Sequence, residues 1–151
     1  MIDADLQHPP ELLRQMYGKI LEGYDVVVAS RYTRGGSVKG LTLPRKMISI
    51  GGTALAHLFL PKTREVKDVL SGFFMIKREV LGKVNLRPVG YKILLEVLVR
   101  GNYASVHEVP YHFEHRKNEK SNFSPKVVVD YLGHLSRLVC CRSAATKDAE
   151  T

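Results

Sequence analysis

Asp3-Ala4-Asp5-Leu6-Gln7-His8-Pro9-Pro10-Glu11, then a helical repeat, then Asp25-Val26-Val27-Val28-Ala29-Ser30: this order of acidic loop, helix and apolar strand decides the fold. Carboxylates spaced i, i+2 at the end of a strand point to one side of the chain, which is the expectation for Asp3 and Asp5. Pro9-Pro10-Glu11 starts a helix, because proline is tolerated in the first turn and an acid suits the positive end of the dipole. Leu12, Leu13, Met16, Tyr17, Ile20 and Leu21 recur at helical spacing, and Gly23 closes the helix. The run Asp25–Ser30 is too uniformly apolar for a strand wet on one face, so it reads as a strand of a sheet covered on both. Together these segments make the end of a βαβ unit in an α/β domain. A strand is normally about five to six residues long, and only Met1 and Ile2 precede Asp3. The expectation is therefore a partial domain whose N-terminal strands are missing.

Downstream, Arg31 to Leu43 is polar, glycine-rich and basic, and reads as a mobile loop. Pro44 starts a helix to about Leu60, stopped by Pro61. A basic connection leads to Asp68 and then to a strand, Leu70–Ile76. A short helix from Arg78 to Gly82 follows, then a helix introduced by Gly90-Tyr91-Lys92 and ended by Gly101. Ala104 to Phe113 reads as a strand, with Pro110 at an edge or bulge. A charged loop, Glu114 to Ser124, precedes a last helix from Pro125 to about Arg142, with an apolar stripe that includes Val127, Val128, Tyr131, Leu132, Leu135, Leu138 and Val139. Residues 1–142 read as one unit and 143–151 as a disordered tail.

The net charge of +8, from 23 basic and 15 acidic side chains, favours polyanionic partners. The basic residues are spread along the chain without a nucleic-acid motif, so nucleic acid is not expected. Adjacent Cys140 and Cys141 have no other cysteine to pair with, which fits a reducing, cytoplasmic setting. No apolar run approaches the ~18 residues that span a bilayer, so the expectation is a soluble or peripheral chain. The six histidines have no spacing that suggests a zinc site.

Six segments in order carry a resemblance. They are Asp3–Glu11, Ala29-Ser30-Arg31-Tyr32 with Gly35-Gly36, Arg45 with Ser49, Asp68 with Ser71-Gly72-Phe73-Phe74, Gly90–Glu96, and Glu108-Val109-Pro110-Tyr111 with Phe113 and Arg116. The chain resembles the dolichol-phosphate mannose synthases, a polyprenyl-phosphate branch of the family-two inverting glycosyltransferases. The resemblance implies the C-terminal, acceptor-side portion of a GT-A-like (Rossmann-like) mixed sheet flanked by helices, without the nucleotide-binding half. It implies transfer of a hexose, most simply mannose from GDP-mannose, to a polyprenyl phosphate at the cytoplasmic membrane surface. Mg²⁺ or Mn²⁺ would be the cofactor, touched by Asp5 and Gln7, with Asp3 nearer the sugar nucleotide. The family usually follows its late arginine with glycine and then serine-lysine. Here Lys117-Asn118-Glu119-Lys120-Ser121-Asn122 stands instead, with Lys120 as the substitute cation.

The chemistry agrees with the residue types. A departing diphosphate accumulates charge, which a hard cation with oxygen ligands and fixed positive side chains stabilise. Asp3, Asp5 and Gln7 are the metal and nucleotide candidates, against a bland reading as a solvated turn and helix cap. Arg31, Arg45, Lys92 and Arg116 are the cations for donor or acceptor phosphates. Ser30 and Ser49 are candidate phosphate donors, with a capping or turn role equally open. Asp68 and Glu96 are candidates for sugar hydroxyls, Glu96 reading equally as a buried partner of Lys92 four residues earlier. Phe73 and Phe74 read as core. The last helix, with Lys126 and Arg137, reads either as a membrane-interface element or as a helix packed on the sheet. The competing class is a non-catalytic relic, or a complementation subunit that binds a separate N-terminal half through an exposed sheet edge.

Overall fold

The computed structural model describes residues 11–40, 43–82, 84, 86–87, 92–114 and 125–147. Asp3, Asp5, Gln7 and Arg116 lie outside the described residues. Helix α1 (Glu11–Leu21) leads into strand β1 (Val26–Ser30), and β2 (Ser37–Lys39) precedes α2 (Leu43–Phe59). A 3₁₀ turn, Pro61–Glu65, then β3 (Phe74–Ile76), α3 (Arg78–Leu81) and α4 (Ile93–Arg100) follow. The chain continues through β4 (Val106–Pro110), β5 (His112–Glu114) and α5 (Pro125–Lys147).

A three-stranded sheet has the order β3-β1-β4, with β1 antiparallel to β3 and parallel to β4. The architecture is therefore mixed α/β, with a small sheet flanked by helices, as the sequence predicts. All five residues of β1 are buried, and alternation sends them to two faces. Val26 and Val28 join a cluster with Leu94, Leu98, Leu135 and Leu138 from α4 and α5. Val27 and Ala29 join a second cluster with Leu12 and Met16 of α1, Phe73 and Tyr111. The central strand is thus covered on both sides, each buried large apolar side chain contributing about 1.5–3 kcal/mol.

One carboxylate fastens the entry end of this sheet. Asp25 Oδ2 accepts the Ala104 N–H at 2.9 Å and the Ser105 N–H at 3.2 Å, while Lys77 Nζ donates to Oδ1 at 2.9 Å. The residues just before β1 and β4 and the residue just after β3 meet at this side chain. These bonds, led by that from Ala104 and then Lys77, pull the Asp25 pKa down to about 2.

Several elements differ from the sequence expectation. The glycine-rich segment after Ser30, read as a loop, contains β2, which pairs in parallel with β5. Its turn requires Gly36, where an added Cβ would stand 2.7 Å from Ser30 O. The strand expected over Leu70–Ile76 begins only at Phe74. Before it, Ser71 N–H bonds Asp68 O at 3.1 Å and Ser71 Oγ donates to Ala29 O at 2.7 Å, which makes a turn pinned to the end of β1. The strand expected over Ala104–Phe113 divides at Tyr111, whose N–H bonds Ser30 O and whose carbonyl accepts from Ser37 N–H. Pro110 closes β4 on an edge of the three-stranded sheet, as its missing N–H requires. Helix α5 runs to Lys147, beyond the Arg142 at which the sequence reading ends it and starts a disordered tail. Phe73 and Phe74 are both core, on opposite faces of the sheet.

Candidate functional site

The end of β1 delivers Arg31 to a junction. Its backbone N–H and Nε both donate to Asp68 Oδ2, at 3.0 and 2.7 Å, and Nη2 donates to Oδ1 at 2.7 Å. Asp68 is wholly buried and the Arg31 side chain 14% exposed, so this is a two-pronged ion pair largely out of water. Burial works against the Arg31 charge, but the bonds and charge of Asp68 outweigh it and hold the guanidinium above its ordinary pKa. The Asp68 loop is itself held: Glu108 Oε1 accepts the Lys67 and Asp68 N–H groups, both at 3.1 Å. The guanidinium carbon of Arg31 lies 5.4 Å from the Tyr32 ring centre and 5.9 Å from that of Phe113.

From this junction a groove of about 460 Å³ runs between α2 and α5. Arg45, Ser49 and Gly52 line it from α2, at the i, i+4 and i+3 steps that share one helix face. Lys92, the residue that caps the start of α4, contributes a third cation beside Arg31 and Arg45. The rest of the wall is apolar, from Ile48, Leu55, Leu70, Val128 and Leu132 among others. The two helices approach at Gly52, where a Cβ would stand 3.6 Å from Tyr131 Cε1 of α5 and 3.1 Å from Leu70 Cδ1 of the turn before β3. There Tyr131 donates its hydroxyl to Gly52 O at 2.6 Å, and burial pushes its pKa up to about 12. No carboxylate or imidazole is among the lining residues described. Three cations and an apolar trough can receive an anionic head joined to an apolar tail.

Of the residues singled out from sequence, Arg31, Arg45, Ser49 and Lys92 come together on this groove. Ser30 is buried beside it, and its Oγ accepts the Tyr32 N–H at 3.4 Å in a turn. Asp68, read as a candidate for sugar hydroxyls, has its oxygens on Arg31. Glu96 is fully buried in α4, where Oε1 accepts from Arg100 Nη1 at 3.0 Å and from the Arg87 N–H at 2.9 Å. It is not part of the described groove wall. Among the described residues, no group of three or more His, Cys, Asp or Glu side chains is placed to hold a metal ion.

Sequence reasoning passed over Tyr32, Glu108 and Gly52 as site residues. Tyr32 and Glu108 sit within segments that carried the resemblance, but their roles depend on partners 17 and 40 residues away. Gly52 carried no signal at all.

Residues 1–84 match the sequence model described as Glycosyl transferase family 2. The chain is 42% identical over 139 residues to the dolichol-phosphate mannosyltransferase of Pyrococcus furiosus, a match covering 92% of this chain and 40% of that protein. It is 32% identical over 146 residues to the Saccharomyces cerevisiae protein of the same name, covering 91% of this chain and 53% of the relative. A Mycosarcoma maydis protein of that name is 34% identical over 142 residues, with 91% and 47% covered. The chain thus spans about half the length of the curated relatives it matches.

Proposed function

The chain belongs to glycosyl transferase family 2, and from that premise we propose that it forms the acceptor-side part of an enzyme that transfers mannose from GDP-mannose to a polyprenyl phosphate. The observation that carries this reading is the groove itself, with Arg31, Arg45 and Lys92 among its lining and an apolar trough between α2 and α5. A phosphate monoester on a long isoprenoid has that division of charge and grease.

The second pKa of such a phosphate is near ~6, so at neutral pH it is largely a dianion and attacks without a general base. A wall with cations and no described carboxylate or imidazole suits that chemistry. A phosphate oxygen forms a bond to the anomeric carbon as the bond from that carbon to the donor diphosphate breaks, and attack from the opposite face inverts the centre. Arg45, Lys92 and the donors that Arg31 retains would position the acceptor. Two carboxylates and an amide, from Asp3, Asp5 and Gln7, are oxygen donors of the type that hard divalent cations take. They would hold Mg²⁺ or Mn²⁺, which would neutralise charge on the leaving diphosphate.

Helix α2 supports a membrane-surface setting. Leu43, Met47, Ile50, Leu58 and Phe59 are exposed, and Lys46, Lys62 and Arg64 beside them are exposed cations. Such a face would rest on an anionic bilayer, each nearby cation contributing about 1 kcal/mol, and would let the acceptor tail reach the groove from the lipid. No described helix is long and apolar enough to cross a membrane.

The test is a transfer assay with radiolabelled GDP-mannose, polyprenyl phosphate and Mg²⁺ or Mn²⁺. The chain would be assayed alone and mixed with a polypeptide covering the remaining length of its relatives. Lipid-phase label that disappears with Asp5→Ala and falls with Arg45→Ala supports the reading. A folded sample that transfers nothing in either condition overturns it, and leaves a non-catalytic binding role.

A further inference from the structure

We infer that Tyr32 is a positioning residue of this groove, acting through both Ser49 and Arg31; the inference rests on the reading of the groove as a site for an isoprenoid phosphate. Tyr32 Oη donates to Ser49 Oγ at 3.1 Å, across 17 residues of chain. A serine hydroxyl inside a helix has several rotamers and commonly turns back on the carbonyl one turn earlier. A donor from outside the helix occupies the oxygen and leaves the hydroxyl its own proton. Ser49 lines the groove on the same α2 face as Arg45, so that proton is available to an anion lying between them.

The ring of the same tyrosine holds the second donor. The Arg31 guanidinium carbon lies 5.4 Å from the Tyr32 ring centre and 5.9 Å from that of Phe113, while Asp68 takes its Nε and Nη2. A guanidinium has five N–H donors in a plane fixed by its own conjugation; two go to the Asp68 carboxylate, and contact with the Tyr32 ring limits how that plane can turn. One side chain therefore sets the direction of a neutral donor and of a charged one. Its own backbone is tied down by the Tyr32 N–H to Ser30 Oγ contact at 3.4 Å.

The experiment is calorimetric titration of the chain with farnesyl phosphate, with farnesol and inorganic phosphate as separate ligands. Wild type, Tyr32→Phe, Tyr32→Leu, Ser49→Ala, the Tyr32→Phe/Ser49→Ala double variant and Arg45→Ala are compared, each checked for an unchanged melting curve. Tyr32→Phe keeps the ring on Arg31 and is expected to weaken farnesyl phosphate about three- to tenfold, the worth of one hydrogen bond. Farnesol binding should not change. In the Ser49→Ala background the same substitution should have no further effect, which is the signature of a coupled pair. Tyr32→Leu, which removes the ring as well, should weaken binding more than Tyr32→Phe. Wild-type affinity in Tyr32→Phe, beside a weakened Arg45→Ala, overturns the role of Tyr32 and leaves the groove reading standing. An equal loss for farnesol, or a full loss repeated in the Ser49→Ala background, also overturns it, because packing alone would then explain the effect. Folded wild type that binds farnesyl phosphate no better than inorganic phosphate overturns the groove reading and this inference with it.

Discussion

Helices α2 and α4 are both apolar, and they put that character to opposite uses. Helix α4 has eight residues and buries Leu94, Leu95, Glu96, Val97 and Leu98 in succession. Helix α2 has seventeen and buries only Ala56. The difference lies in what surrounds them. The buried face of α4 joins the cluster that holds Val26 and Val28 of β1 and Leu135 and Leu138 of α5. Helix α2 contributes Ala56 alone to the buried part of that cluster, and its outer face meets solvent. The apolar content of α4 stabilises the fold; that of α2 lines a groove and leaves an exposed apolar face.

The Arg31–Asp68 junction, where the end of β1 meets the turn before β3, should be the most sensitive point. Asp68→Ala leaves the Arg31 guanidinium in a largely dry site without its counter-ion, and is expected to cost about 3–5 kcal/mol in urea unfolding. It should also weaken farnesyl phosphate binding, because Arg31 loses its orientation. Full stability in this variant would mean that the pair does not set the junction.

Within α4, Leu98→Ala should cost about 3 kcal/mol, the usual penalty for emptying a buried leucine site. On α2, Leu58→Ser and Met47→Ser remove exposed side chains and should change stability by no more than about 0.5 kcal/mol. Their effect should appear as reduced co-sedimentation with anionic vesicles. If Leu58→Ser unfolded the chain as readily as Leu98→Ala, the division of labour between the helices would be broken.

The smallest expected effect concerns pH. His134 of α5 is buried, and its Nε2 has no hydrogen-bond partner among the described residues. Burial lowers its pKa, the charge of Glu96 on α4 opposes that shift, and Arg137 adds to it. Its other nitrogen, Nδ1, lies 3.2 Å from Arg137 Nη2. A base whose pKa is lower folded than unfolded is neutral in the native state while the unfolded chain takes up the proton, so stability falls as pH drops below the ordinary imidazole range. The urea midpoint should decline between about pH 7 and 5.5, and His134→Leu should flatten that decline. At lower pH the Asp25 clamp goes next. Its contribution is complete above the ordinary carboxylate value of 3.8 and is lost as pH falls toward about 2. In Asp25→Asn this last limb should be shallower.

Much of the fold was legible in local pattern. The apolar spacing of Leu12, Met16 and Ile20 marks α1, the run Val26–Ala29 marks a strand buried on both faces, and Pro61 stops α2. Arg31, Arg45, Ser49 and Lys92 were legible as a cationic site through the order of their segments. What escaped was non-local. The three residues of β2 look like loop because their ladder partner lies about 75 residues away, in β5. Asp68 looks like a ligand in the sequence because nothing local reveals that Arg31, 37 residues away, meets it. Glu96, by contrast, has Arg100 one turn later on its own helix, a pairing the sequence reading passed over for Lys92. The Asp25 clamp joins positions about 80 apart, beyond any periodicity.

The sequence by itself determined the α/β class, the helices and central strand, and the family, because these depend on short-range periodicity and on residue types in a fixed order. Tertiary structure alone decided which apolar helix lies inside and which lies out, that Asp68 holds Arg31, and that Arg31, Arg45 and Lys92 converge on one groove. Those outcomes depend on which distant segments share a surface. Arg31 and Asp68, 37 residues apart, meet only when the end of β1 and the turn before β3 pack together.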